Sequence, residues 1–156
     1  MKLTKTLATA TFALSSMALL WSGQMASADD YSDYSYSYSY TSSDSSNLYP
    51  VGQCTWGVKS IATWASNSWG NGGDWATNAA ADGYNVGTTP VVGSIICWTD
   101  GGYGHVAYVT DVSANGQIQV LESNYAGNMA LANYRGWFNP TNSVTAGAVS
   151  YIYPNS

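Results

Sequence analysis

The chain has 156 residues and a formal net charge of −5, a length that allows one ordinary domain with an appendage. Only 8% of residues are charged while 14% are aromatic, which argues against a solvated disordered chain and against a coiled coil. The four basic residues, Lys2, Lys5, Lys59 and Arg135, form no cluster that could displace counterions, so no nucleic-acid partner is expected.

Lys2 and Lys5 open the chain, an apolar stretch runs from Leu7 to Trp21, and Ala26-Ser27-Ala28 gives a small-x-small pattern before Asp29. This is the three-part layout of a secretory signal peptide over residues 1–28. The apolar run is shorter than the roughly 20 residues a membrane span needs. Cleavage after Ala28 would leave 128 residues with no integral membrane segment. Their net charge is −7, because two of the four basic residues but none of the nine acidic ones precede the cut. The expected location is extracellular, secreted or associated with the cell wall. Residues 29–47 alternate Tyr with Ser, carry four Asp and hold no aliphatic residue; neither face of such a strand has a core partner, so a disordered linker is expected.

From Leu48 to Ser156 the texture changes to dense Trp, Val, Ile and Gly, the composition of a domain. The spacing of Cys54, Val58, Ile61, Ala62 and Ala65 predicts a helix over 54–66. Asp74 is placed to cap a second helix over 75–82, with Gly83 as its left-handed terminator. After Pro90 the pattern becomes that of strands, near 94–99, 104–112, 117–124 and 147–153. Helices followed by strands with hairpin-length connections predict an α+β fold with an antiparallel sheet.

Reactive residues are scarce, which narrows the chemistry. There is one His, His105, one Glu, Glu122, and two Cys, Cys54 and Cys97. A zinc site built on several histidines is excluded by count, and no Walker loop, GxGxxG or GxSxG sequence occurs. Cys54 begins the first helix, where the partial positive charge favours a thiolate, the nucleophilic form. His105 follows Gly101-Gly102-Tyr103-Gly104, whose glycines permit close approach; its bland alternative is a surface histidine beside a flexible loop. Glu122 breaks that tie. Ile118, Val120, Glu122 and Asn124 share one strand face, so a carboxylate and an amide continue an apolar stripe, which solvation does not explain.

Ser113-Ala114-Asn115-Gly116 has the signature of a type I turn. With those four residues as the loop, Val112 faces Gln117, Ala107 faces Glu122 and His105 faces Asn124. Glu122 is then the diagonal neighbour of His105; a two-residue Asn115-Gly116 turn would displace it along the strand. In this arrangement His105 takes the Cys54 proton and later protonates a leaving amine. Glu122, or Asn124, holds the other imidazole nitrogen. The backbone N–H of Cys54 and the side chain of Gln53 are candidate oxyanion donors.

Gly52-Gln53-Cys54-Thr55-Trp56, Asp74-Trp75, Pro90 with Gly93-Ser94-Ile95, Gly104-His105-Val106-Ala107 and Glu122-Ser123-Asn124 together resemble the CHAP domain, a family of cysteine- and histidine-dependent amidohydrolases and peptidases. The resemblance spans about residues 48–154. It implies a papain-like α+β fold, with N-terminal helices packed on an antiparallel sheet, and a peptidoglycan substrate. The bond implied is either the amide joining N-acetylmuramic acid to L-alanine or one within the stem and bridge peptides. By resemblance Cys54 is the nucleophile, His105 the base, Glu122 the orienting acid and Asn124 a supporting polar residue. No cofactor and no metal are implied, since Leu48-Tyr49-Pro50-Val51 offers no calcium ligands, and a monomer is expected.

Ser94 stands where relatives often carry Asp, and Cys97 where they carry an aliphatic residue. An exported chain with two cysteines invites a Cys54–Cys97 disulfide; the competing view, preferred here, keeps Cys97 buried and free. Trp69 and Trp98 could line a substrate groove, although a core role is the commoner one for Trp. A secreted wall-binding or adhesion protein with a vestigial triad is the alternative to an enzyme.

Overall fold

The computed structural model describes residues 46–142 and 144–156; the expected signal segment and the Tyr/Ser stretch up to residue 45 lie outside them. Two short helices, α1 (Cys54–Ile61) and α2 (Trp75–Ala81), precede five strands: β1 (Val86–Gly87), β2 (Ile95–Trp98), β3 (His105–Val112), β4 (Ile118–Leu121) and β5 (Val149–Ile152). The strands form one antiparallel sheet in the order β1-β5-β2-β3-β4. The expected α+β architecture, helices first and an antiparallel sheet after, is the one observed. Among the described residues no helix is long and apolar enough to cross a membrane.

The central strand β2 is buried throughout, and its alternation feeds two cores. Ile95 and Cys97 face the helices with Val58, Ala62, Trp69, Trp75 and Val106. Ile96 and Trp98 face the opposite side with Ala107, Val109, Ile118, Val120 and Tyr151. Indole and phenol rings dominate the helical side. Trp69 packs edge-on against both Trp75 and Tyr84, at centroid distances of 5.4 and 5.2 Å, the favoured geometry for opposed ring quadrupoles.

The first helix is shorter than its apolar spacing predicts. Ala62 and Ala65 are buried as that spacing requires, but the helix stops at Ile61 and Ala62 leaves helical geometry with ψ 71°. Two interactions draw the chain away. Lys59 folds its ammonium onto the Thr63 carbonyl at 2.6 Å, and Trp64 stacks on Tyr84, whose hydroxyl donates to the Trp64 carbonyl. Asp74 also departs from its expected role. A 3₁₀ turn at Gly72–Asp74 runs into α2, and the Asp74 carboxylate reaches back to the Asn71 N–H instead of capping α2. Gly83 does terminate α2 with φ +88°. Tyr84 N–H bonds to Ala79 O and Gly83 N–H to Ala80 O, the paired pattern of a Schellman motif.

The β3–β4 hairpin departs from expectation at its tip and not at its base. Val112 pairs with Ile118 and Asp111 with Gln119, one residue beyond the expected register, so the loop is longer by one. A bulge between Val109 and Asp111 then absorbs that residue. Val109 pairs with Val120 and Tyr108 with Leu121, restoring the expected register before the strands reach His105 and Glu122. Regular pairing ends at Leu121. Glu122 forms an isolated bridge with Ala132, and Asn124 turns out of the strand with φ +55°.

Candidate active site

Cys54 is the first residue of α1, with Gln53 as the extended residue before it. The start of this helix is fixed to the end of β4. Ser123 donates from its hydroxyl to the Gln53 carbonyl at 2.8 Å. Gly57, one turn along, lies so close to Ser123 that a Cβ there would collide with the hydroxyl. The register of helix against strand therefore sets how far Cys54 stands from the residues after Leu121.

His105 opens β3, and its backbone is clamped by the 3₁₀ turn. A Cβ on Gly72 would come within 3.0 Å of His105 backbone atoms, while Gly73 N–H bonds to the Tyr103 carbonyl. The His105 ring lies 5.8 Å from Trp98. Its Nε2 is 2.8 Å from Glu122 Oε2, and the ring is near enough to the Cys54 thiol to lower its pKa. With Nε2 committed to the carboxylate, Nδ1 is the nitrogen left to face the sulfur.

The electrostatics follow from that chain of contacts. Burial pushes the Cys54 thiol up, but the hydrogen bond and charge of His105, with the N–H groups of Val106 and Thr55, outweigh it and hold the thiol below its ordinary value. Burial pulls His105 down, yet its bonds to Cys54 and Glu122 push it up to about 9. Burial raises Glu122, and His105 together with Arg135 reverses this, leaving the carboxyl below its usual range. The lowered thiol and the raised imidazole both shift the pair toward thiolate and imidazolium.

Cys54 and His105 open onto a cavity of about 490 Å³ whose wall includes Tyr49, Gln53, Tyr103 and Asn124, while Glu122 lies fully buried behind the imidazole. Among the described residues, no Asp, Glu, Lys or Arg lines the cavity. Asn124, considered beside Glu122 as a partner for the imidazole, serves Gln53 instead, donating from Nδ2 to Gln53 Oε1 at 2.8 Å. The Gln53 amide nitrogen is thereby the free end of that side chain.

The two tryptophans named for the groove do not line it. Trp69 is fully buried and donates to Asp82 at 2.7 Å, because the aromatic cluster under α1 and α2 encloses it. Trp98 is buried behind His105 with its indole N–H on the Pro140 carbonyl. Both cysteines are free thiols; Cys97 is wholly buried.

Arg135 is the functional candidate that sequence reasoning missed. It binds Glu122 through two bonds, Nε to Oε1 at 2.8 Å and Nη2 to Oε2 at 2.7 Å. The signal available was indirect. A carboxylate on an apolar strand face calls for a cation, and Arg135 and Lys59 are the only basic residues beyond the first five.

Comparisons with known proteins identify the family. Residues 44–124 match the family model described as CHAP domain. A Streptococcus mutans protein with a provisional hydrolase name is 71% identical over 109 residues, covering 70% of this chain and 52% of its own length. The N-acetylmuramoyl-L-alanine amidase sle1 of Staphylococcus saprophyticus is 42% identical, covering 69% of this chain and 32% of the amidase. The staphylococcal secretory antigen SsaA of Staphylococcus aureus is 49% identical over 81 residues, covering 51% of this chain and 32% of the antigen. The chain thus spans between a third and about half the length of these relatives. A crystal structure of an N-acetylmuramoyl-L-alanine amidase from Staphylococcus aureus superposes with a TM-score of 0.60 at 28% identity, over 83% of this chain and 38% of that one. With the family model matched across Cys54, His105 and Glu122, over slightly more than half of its residues, the chain belongs to the CHAP domain family.

Proposed function

We propose that the protein is a secreted peptidoglycan hydrolase that cleaves an amide bond with Cys54 as nucleophile, His105 as general base and acid, and Glu122 as the group that orients the imidazole. The observation that carries the reading is that Cys54 and His105 line one cavity, with the imidazole held from behind by a fully buried Glu122. The amidase relatives supply the substrate class, and the relative named as a secretory antigen fits export.

In this mechanism His105 holds the thiol proton, and the thiolate attacks the carbonyl carbon of the scissile amide. The developing oxyanion takes hydrogen bonds from the Cys54 backbone N–H, which as the first helical donor has no intrahelical partner, and from the Gln53 amide nitrogen. Asn124 supports the latter by fixing the Gln53 oxygen. The imidazolium gives its proton to the leaving amine, then takes one from the water that hydrolyses the thioester. Glu122 keeps the ring facing Cys54 throughout.

The test is mass spectrometry of soluble fragments released from purified peptidoglycan, with Cys54→Ala alongside. Stem peptides beginning with L-alanine identify an amidase, and split stems or bridges an endopeptidase. A folded protein that releases nothing from several wall types sinks the enzymatic reading in favour of a wall-binding protein.

A further inference from the structure

Glu122 is the only buried acid among the described residues, and it needs more than a neutral histidine to remain ionised there. The arrangement around it is specific. The segment after Ala132 runs beside β4, bridging Glu122 to Ala132 and Ile118 to Phe138. Between these bridges the outer segment has two more residues than β4, and Arg135 sits in the surplus. Its guanidinium carbon lies 4.3 Å from the Tyr125 ring centroid, 4.6 Å from Phe138 and 4.9 Å from Trp98. Three aromatic faces hold the cation while its fork meets both carboxylate oxygens.

We propose that Arg135 is a positioning residue for the hydrolysis, keeping Glu122 ionised and aimed so that His105 presents the correct nitrogen to Cys54. This rests on the hydrolase reading above. Counting charges gives the reason. Thiolate, imidazolium, carboxylate and guanidinium sum to zero, whereas the first three alone carry one net negative charge in a largely dehydrated site. Without Arg135 the cluster therefore binds an extra proton more tightly, and the thiolate, its most basic exposed member, is where that proton goes. The groups facing Glu122 are His105 from β3, with Cys54 of α1 beyond it, and Arg135 and Tyr134 from the segment after Ala132. Tyr134 is neutral through the working range, since burial and the charge of Glu122 both hold its proton.

The experiment compares the full chain with Arg135→Met, Arg135→Lys and Cys54→Ala. It reads the pH profile of Cys54 alkylation by iodoacetamide, and kcat and KM on soluble peptidoglycan fragments. For Arg135→Met we expect kcat roughly 100-fold lower with KM within about twofold, and alkylation at pH 6 roughly tenfold slower as the midpoint moves up by about one unit. Arg135→Lys, which keeps the charge and loses the fork, should recover the alkylation midpoint but only part of kcat. A folded Arg135→Met protein with the parent's alkylation profile overturns the proposal. Should that variant not fold, a parental kcat in Arg135→Lys overturns it and a reduced kcat at parental KM supports it. If the unaltered chain releases no fragments, the hydrolase reading fails, while the alkylation profile still decides whether Arg135 sets the thiol.

Discussion

Cys54 and Cys97 sit on neighbouring elements, one at the first residue of α1 on the rim of the cavity, the other in the middle of β2 with both faces of its strand covered. Burial raises both thiols. What separates them is compensation. Cys54 has an imidazole, two backbone N–H groups and a helix start beside it, while Cys97 has one backbone contact at Ala76 and the opposing influence of Cys54 itself. The same side chain is thus suited to act as a nucleophile or as a small apolar filler according to what surrounds it, and the helix-facing core makes its filler from the residue type to which the proposed mechanism assigns the attack.

The sharpest way to break this comparison is to remove each sulfur. Cys54→Ala should lower peptidoglycan hydrolysis by roughly 10⁴-fold or more, as expected for loss of a nucleophile, while Cys97→Val should stay within about twofold. Equal losses would mean that Cys97 takes part. Next in size, Glu122→Gln should cost about 10³-fold in kcat, because the neutral amide no longer stabilises an imidazolium and its NH2 can turn the ring to the wrong tautomer. The same change leaves Arg135 without its counter-charge, so the midpoint of thermal unfolding should fall as well, by the equivalent of about 3 kcal/mol. An unchanged melting temperature would show that Glu122 and Arg135 are not paired in solution.

Iodoacetamide at neutral pH should label Cys54 in the native protein and reach Cys97 only after unfolding; mass-mapped peptides decide it. The pH dependence follows from the same contrast. Catalysis should rise as the Cys54 thiol ionises, below the usual thiol range, and fall as His105 deprotonates near 9, being roughly tenfold down by pH 10. Stability has the matching signs. The raised His105 contributes fully below its unfolded value and loses that contribution as pH climbs through about 9, whereas the lowered Glu122 contributes above its unfolded value and loses it on acidification. A profile without an alkaline limb would remove the imidazolium from the mechanism. The smallest effect belongs to Ser123→Ala, which deletes the tie to the Gln53 carbonyl and should cost about 1 kcal/mol, with a severalfold drop in kcat as Cys54 loosens.

Much of the site was legible because the chain spends so few reactive residues. One His, one Glu and a Cys at a helix start left little choice of partners, and period-two patterning placed Glu122 on the core face of its strand. The hairpin expectation reached the right neighbour for His105 through a turn that was one residue too short, because the bulge compensates. Arg135 was hidden for a physical reason. It lies on an irregular segment with no periodicity, and the contact that gives it meaning spans 13 residues. The two-residue strand β1 is below the length at which alternation can be recognised. Trp69 and Trp98 illustrate the opposite limit, since composition alone does not tell an indole that lines a groove from one that fills a core.

The bulge in β3 has a use beyond register. It lies between the hairpin tip and the paired residues that lead to His105 and Glu122, and at the tip Ala114, Asn115 and Gly116 are exposed. Length changes at the tip are thus separated from the triad by a joint that already takes up one surplus residue. A peptide grafted between Asn115 and Gly116, such as an epitope, a fluorophore tag or a short wall-targeting sequence, should be carried by the protein with the geometry of Cys54, His105 and Glu122 intact.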